Sequence, residues 1–103
     1  MKIEIQSIHF TPDGGLVDFV NKKVEKLTLL DDGVINTDVF LKIEKPESPE
    51  NKITEIHVHS SNGEYFAKKQ CDTFEESIDV SVKALRKQLL KSKGKIALLL
   101  GVN

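Results

Sequence analysis

Between Lys83 and Lys95 the chain carries six cations and no acid: Lys83, Arg86, Lys87, Lys91, Lys93 and Lys95. Lys83, Lys87 and Lys91 recur every fourth residue, so on a helix they stack in one row with Arg86 at its flank. Like charges at this spacing repel by about 0.2–0.5 kcal/mol per pair. The chemistry such a row offers is capture of a polyanion, one phosphate per cation. Part of it has a plainer origin. A helix C-terminus favours cations, and Glu75, Glu76 and Asp79 complement the other end. Those effects account for two or three lysines and less well for six, so a solvated face and a nucleic-acid surface are both open readings. Upstream, Lys22, Lys23 and Lys26 form a second cluster, with Lys22 and Lys26 four apart.

Other residues could do chemistry, and each has a blander reading. His57 and His59 stand as H-x-H on one face of a strand, a spacing zinc can use, with Cys71 or His9 as a third ligand. An exposed polar strand face explains the pair equally, and no metal is expected. Gly14-Gly15 before a helix could cradle a phosphate, but no Lys-Ser/Thr follows as in a P-loop. Cys71 lies near Lys68 and Lys69, which could lower its pKa; a strand-end core cysteine is the simpler reading. No Ser-His-Asp set, paired carboxylates or metal-ligand constellation stands out. An enzyme or a cofactor is therefore not expected.

These residues need elements to hold them. Ile3 and Ile5 alternate with Glu4 and Gln6, giving a strand over 2–10, with a phase shift before Ile8 and Phe10 that predicts a bulge or the strand's end. Thr11 or Asp13 can cap a helix over roughly 14–29, whose apolar stripe is Leu16, Phe19, Val20, Val24 and Leu27. Asp31-Asp32-Gly33 ends it. Val39, Leu41 and Ile43 mark a second strand, and EKPESPEN a turn. Ile56 and Val58 mark a third strand, SSNG a hairpin, and EYFAKKQC a fourth. Asp72 or Thr73 can cap the last helix in a capping box with Glu75 or Glu76. Its stripe is Phe74, Ile78, Val82, Leu85 and Leu89, and Gly94 predicts a left-handed C-cap after Lys93. The order is β-α-β-β-β-α, an α+β fold: a four-stranded sheet with both helices on one face. Side by side there, the two basic clusters border one groove that tracks a phosphate backbone rather than reading base edges.

Composition sets the limits. The chain has 103 residues, 39% hydrophobic and 30% charged, with a formal net charge of −1. That describes one globular domain. A single cysteine excludes an intrachain disulfide and fits a reducing, cytoplasmic setting. MKIEIQSIHF alternates, so no signal peptide is expected. The longest apolar run, IALLL, is too short to span a bilayer, and no membrane partner is expected.

The stretch SIDVSVKALRKQLLKSKGK, after its cap at Asp72, resembles the second helix of bacterial ribosome hibernation promoting factors, the sigma-54 modulation family also called ribosome-associated inhibitors. Ser77-Ile78-Asp79, Lys83-Ala84-Leu85, Arg86-Lys87-Gln88-Leu89 and Lys91-Ser92-Lys93 carry the likeness, with Lys87 inserted between Arg86 and Gln88 as a local variation. LVDFVNKKVEKL, TDVFLKIEK and TEIHVHSSNG are similar to the family's first helix and strands, so the likeness covers residues 2 to about 95. The resemblance implies a fold related to double-stranded-RNA-binding domains. It implies binding of small-subunit rRNA in the channel used by mRNA and tRNA, and a translation inhibitor of stationary phase or stress. Its contacts would be Lys22, Lys23, Lys26, Lys83, Arg86, Lys87, Lys91 and Lys93, with Lys95 beyond them.

Three features depart from the family. Net charge is not strongly positive, the C-terminal dimerisation domain of long members is not expected, and residues 96–103 form a hydrophobic tail after the domain of residues 1–95. Following a cap at Gly94, Ile96 to Leu100 should leave the helix and be buried, against their own sheet or as a homodimer contact. Two other functions stay open: a protein-interaction regulator, for example of a sigma factor or polymerase, and a general double-stranded-RNA-binding module.

Overall fold

A computed structural model of the chain describes residues 2–44, 47 and 49–99, with side chains as far as Lys91. Its elements are β1 (Lys2–Ile8), α1 (Gly14–Glu25), a 3-10 turn (Lys26–Leu29), β2 (Val34–Ile43), β3 (Lys52–Ser60), β4 (Gly63–Cys71) and α2 (Phe74–Leu99). The β-α-β-β-β-α order read from the sequence is the order observed. The strands form one mixed sheet in the order β1-β2-β3-β4. β1 lies parallel to β2 through the α1 crossover, and β2, β3 and β4 form an antiparallel meander.

Alternation decides which face of the sheet is dry. Val39 and Leu41 on β2, Ile56 and Val58 on β3, and Ala67 on β4 point to the helices and are buried. Leu16, Val20 and Val24 of α1, Leu27 of the 3-10 turn, and Phe74, Ile78, Val82, Leu85 and Leu89 of α2 complete the same cluster. Both helices therefore cover one face of the sheet. Burial of each such side chain contributes about 1.5–3 kcal/mol. Ile43, expected in the core, is only half-buried at its margin. Ser77 and Ser81, one turn apart on α2, face the sheet as small buried residues. The Ser77 hydroxyl shares a 2.6 Å hydrogen bond with that of Thr54 on β3.

The ends of the elements follow from side-chain capping. Asp13, rather than Thr11, caps α1, its Oδ1 accepting from Leu16 N at 2.7 Å. Thr73, rather than Asp72, caps α2, its hydroxyl accepting from Glu76 N at 3.1 Å. The phase shift after Gln6 marks the strand's end. Pairing with β2 is regular to Ile8, His9 then takes a left-handed φ of 73°, and Phe10 turns inward to stack on Phe74 at 4.8 Å. The irregularity lies instead in β2, between Val34 and Asn36.

Asp31 ties the loop before β2 to the β3–β4 hairpin. It accepts from Gly33 N, Ser60 Oγ and Asn62 Nδ2 at 2.8–2.9 Å. A Cβ on Gly33 would lie 2.4 Å from Ser61 Oγ, so glycine permits this close approach.

Two expectations are corrected. The first helix is α-helical only to Glu25 and tightens into the 3-10 turn, where the Thr28 hydroxyl donates to the Glu25 carbonyl at 2.6 Å. The second helix does not end at Gly94. α2 runs on to Leu99, so Lys93 and Lys95 lie within it and Ile96 to Leu99 continue it. One interior glycine costs about 1 kcal/mol relative to alanine. Lys95, Ala97, Leu98 and Leu99 beyond it are strong helix formers, and the glycine is absorbed. Leu100, the burial expected of the tail, and much of the EKPESPEN turn lie outside the described residues.

Candidate nucleic-acid interface

α1 and α2 lie side by side, and an acid bridges them. Asp79, in the second turn of α2, accepts from Lys23 of α1 at 3.3 Å and from Lys83, one turn on, at 3.0 Å. Lys83 first, and Lys23 second, hold the Asp79 carboxyl below its ordinary value against the opposing effect of desolvation. Lys23 also stands 5.5 Å above the Phe19 ring. Its ammonium is therefore held between an acid and an aromatic face rather than sweeping through solvent.

Below this bridge the helices and the 3-10 turn enclose an open groove of about 420 Å³. Lys23 and Lys26 line one side; Lys83 and Arg86 line the other. The remaining walls are Leu27, Leu29, Leu30 and Val82, with Asp79 the one acid. The site is a cationic rim over an aliphatic floor. Four cations face a single carboxylate whose charge is already shared by two of them.

The structure thus brings together Lys23, Lys26, Lys83 and Arg86 of the residues singled out in the sequence. Lys22, Lys87 and Lys91 are exposed on the same two helices but do not line the groove. The backbones of Lys93 and Lys95 belong to α2, and their side chains lie outside the described residues. Asp79 has a partner on α1 that the sequence did not reveal. Its spacing to Lys83 was legible, but its bond to Lys23 spans 56 positions. Leu29 was also missed. It is 81% exposed, which no stripe of core positions reveals.

The other candidates find ordinary partners. His57 lies between the Phe40 and Phe66 rings, at centroid distances of 5.8 and 4.5 Å. His59 sits between Glu64 at 3.1 Å and Asp38 at 3.0 Å, and its pKa is raised, by Glu64 first and then Asp38. Among the described residues no group of three or more His, Cys, Asp or Glu could hold a metal. Desolvation, followed by Glu76, Glu50 and Asp72, pushes the Cys71 thiol up, against the lowering a reactive cysteine needs. At the start of α1 the anion-accepting position is filled by Asp13. Gln88 of α2 reaches the outer edge of β4, donating to Phe66 O at 2.8 Å and accepting from Phe66 N at 3.4 Å. No described helix is long and apolar enough to cross a membrane.

Residues 3–97 match the family model described as Sigma 54 modulation protein / S30EA ribosomal protein. No curated protein matches by sequence comparison. Among solved structures, the chain is similar to the N-terminal domain of Protein Y from Thermus thermophilus, with a TM-score of 0.75 and 22% identity over 86% of this chain and 96% of that one. It is also similar to a ribosomal subunit interface protein from Coxiella burnetii, with a TM-score of 0.78 and 20% identity over 91% and 99% of the two chains. At these identities the two structures establish the common fold.

Proposed function

This chain belongs to the Sigma 54 modulation protein / S30EA ribosomal protein family, and from that premise we propose that it is a ribosome-associated factor that silences translation by occupying the mRNA and tRNA channel of the small subunit. In this reading the domain acts by bulk and charge. It fills a path lined by rRNA, and no bond is made or broken. The contacts come from Lys22, Lys23 and Lys26 on one helix and Lys83, Arg86, Lys87 and Lys91 on the other, with Lys93 and Lys95 extending the row along α2. The names of the two similar structures, a Protein Y domain and a ribosomal subunit interface protein, point the same way.

The observation that carries the reading is the position of the cations on the paired helices. Lys26, Lys83 and Arg86 ring a groove whose one carboxylate is already engaged. Cations spaced along two helices, in excess of the one acid among them at the groove, suit a phosphate backbone, and binding of this kind weakens steeply with salt. Activity of this kind belongs to the cytoplasm.

Cosedimentation tests it. The protein should travel with small subunits from cell lysate, leave them in high salt, and be released by RNase. A complex that survives both treatments would instead favour docking on a protein partner.

A further inference from the structure

The groove holds more than cations. Leu29, at its rim, is 81% exposed, and Leu27, Leu30 and Val82 make an aliphatic floor beneath Lys26, Lys83 and Arg86. A surface that only tracks phosphates has no use for such a floor. A nucleotide lifted out of its stack has the matching chemistry: two apolar base faces, a sugar, and a phosphate on either side. A volume of about 420 Å³ falls within the roughly 300–1,000 Å³ typical of small-ligand sites.

We infer that this groove receives one unstacked nucleotide of RNA, its base on the leucine floor and its flanking phosphates on Lys26, Lys83 and Arg86. The inference rests on the RNA-binding reading above and sharpens it: recognition is of an unpaired position, where the sequence alone suggested backbone tracking. Leu29 acts as the wedge. Exposed leucines beside cations are used in this way to part base steps, and an unpaired base costs least to move. Asp79 does not repel the ligand as a bare carboxylate would, because Lys23 and Lys83 are both bonded to it. It is a positioning residue, holding the Lys23 and Lys83 ammonium groups at the groove.

The occupant is part of a polymer rather than a free nucleotide. The cations do not stop at the groove: Lys22 on α1 and Lys87 and Lys91 on α2 continue beyond it on exposed positions. A single nucleotide would leave them without a partner, whereas the strand on either side of an unpaired base supplies further phosphates.

The test uses the full chain and two RNA hairpins, one with a single unpaired 2-aminopurine in its stem and one with that position paired. Binding is followed by anisotropy and unstacking by 2-aminopurine emission. The unpaired hairpin should bind about tenfold more tightly, as one apolar contact implies, with a rise in emission because an aliphatic pocket does not quench it. Leu29→Ser should abolish the preference for the unpaired hairpin and the rise in emission; its exposure makes unfolding of the variant no concern. Equal affinities and unchanged emission would overturn this inference and leave the backbone-binding reading standing. Failure to bind either hairpin at low salt would overturn both.

Discussion

The two faces of this domain use their charged side chains differently. On the open face of the sheet, charges are neutralised locally. Lys2 pairs with Glu4, Lys42 with Glu44, and His59 with both Asp38 and Glu64. At the groove on the helix face Lys23, Lys26, Lys83 and Arg86 meet one acid, Asp79, while Asp18, Glu25, Glu75 and Glu76 are exposed elsewhere on the two helices. A formal net charge of −1 therefore conceals a local excess of cations at the groove. Net charge describes the far field, whereas within a Debye length of about 8–10 Å a ligand meets only the face in front of it. A near-neutral chain can present a polyanion-binding surface if its acids stand away from the groove, as Asp18, Glu25, Glu75 and Glu76 do on the same helices.

The comparison supposes that one core holds both faces, and the largest expected effect tests that. Leu85 is fully buried and lies in the cluster that joins α2 to the sheet. Leu85→Ala should cost about 2–5 kcal/mol, measured by urea unfolding, and every probe of either face should lose its signal at the same urea concentration. Separate transitions would mean that the faces do not share a core.

Next in size is the contrast in RNA binding. Lys83, Lys87 and Lys91 replaced together by Gln should flatten the salt slope of RNA binding by roughly two units, while stability falls by no more than about 1 kcal/mol, through loss of the exposed Lys83–Asp79 pair. Lys2, Lys42 and Lys68, on the sheet strands, serve as the control. Their replacement by Gln should leave the slope unchanged. A slope insensitive to the first set would make the α2 row a solvated face.

A smaller effect is expected between the faces. Ser81 is fully buried on the sheet side of α2, and its hydroxyl finds no hydrogen-bond partner among the described residues. Neighbouring Ser77 has one in Thr54. Ser81→Ala should be neutral or stabilising by up to about 1 kcal/mol, and Ser77→Ala destabilising by about 1 kcal/mol, since it strands the Thr54 hydroxyl. Equal costs would show that Ser81 has a partner in solution.

What was legible in the sequence was periodic. Val39 and Leu41 alternating, and Ile78, Val82, Leu85 and Leu89 at helical spacing, led to the right elements, the right core and the right side of the sheet for both helices. Four of the groove's residues followed from that geometry. What was not legible depended on partners distant in the chain or on competing local preferences. Asp79 reads as a helix-start acid until Lys23 is brought to it. Gln88 reads as a surface residue until the edge of β4 is beside it. Gly94 reads as a stop because glycine often is one, but the residues after it favour helix strongly enough to carry α2 to Leu99.

The smallest expected effects have opposite signs on the two faces. On the sheet, Glu64 and Asp38 raise the pKa of His59 above its ordinary 6.5. A raised folded value means that the stabilisation is fully present below the unfolded pKa and lost as pH rises through the folded one. On the helices, Lys83 and Lys23 lower the pKa of Asp79 below its ordinary 3.8. Its stabilisation is fully present above the unfolded value and lost as pH falls through the folded one. His59→Gln should therefore lie below the parent in thermal midpoint at about pH 5 and converge with it toward about pH 8. Asp79→Asn should lie below the parent at neutral pH and converge with it in acid, below about pH 3. Both groups meet solvent, so each difference should shrink on adding salt. Differences independent of pH would mean that His59 and Asp79 act through shape and hydrogen bonding alone. Two curves sloping the same way would contradict the division of charge between the faces, because it requires a cation held by acids on one side and an acid held by cations on the other.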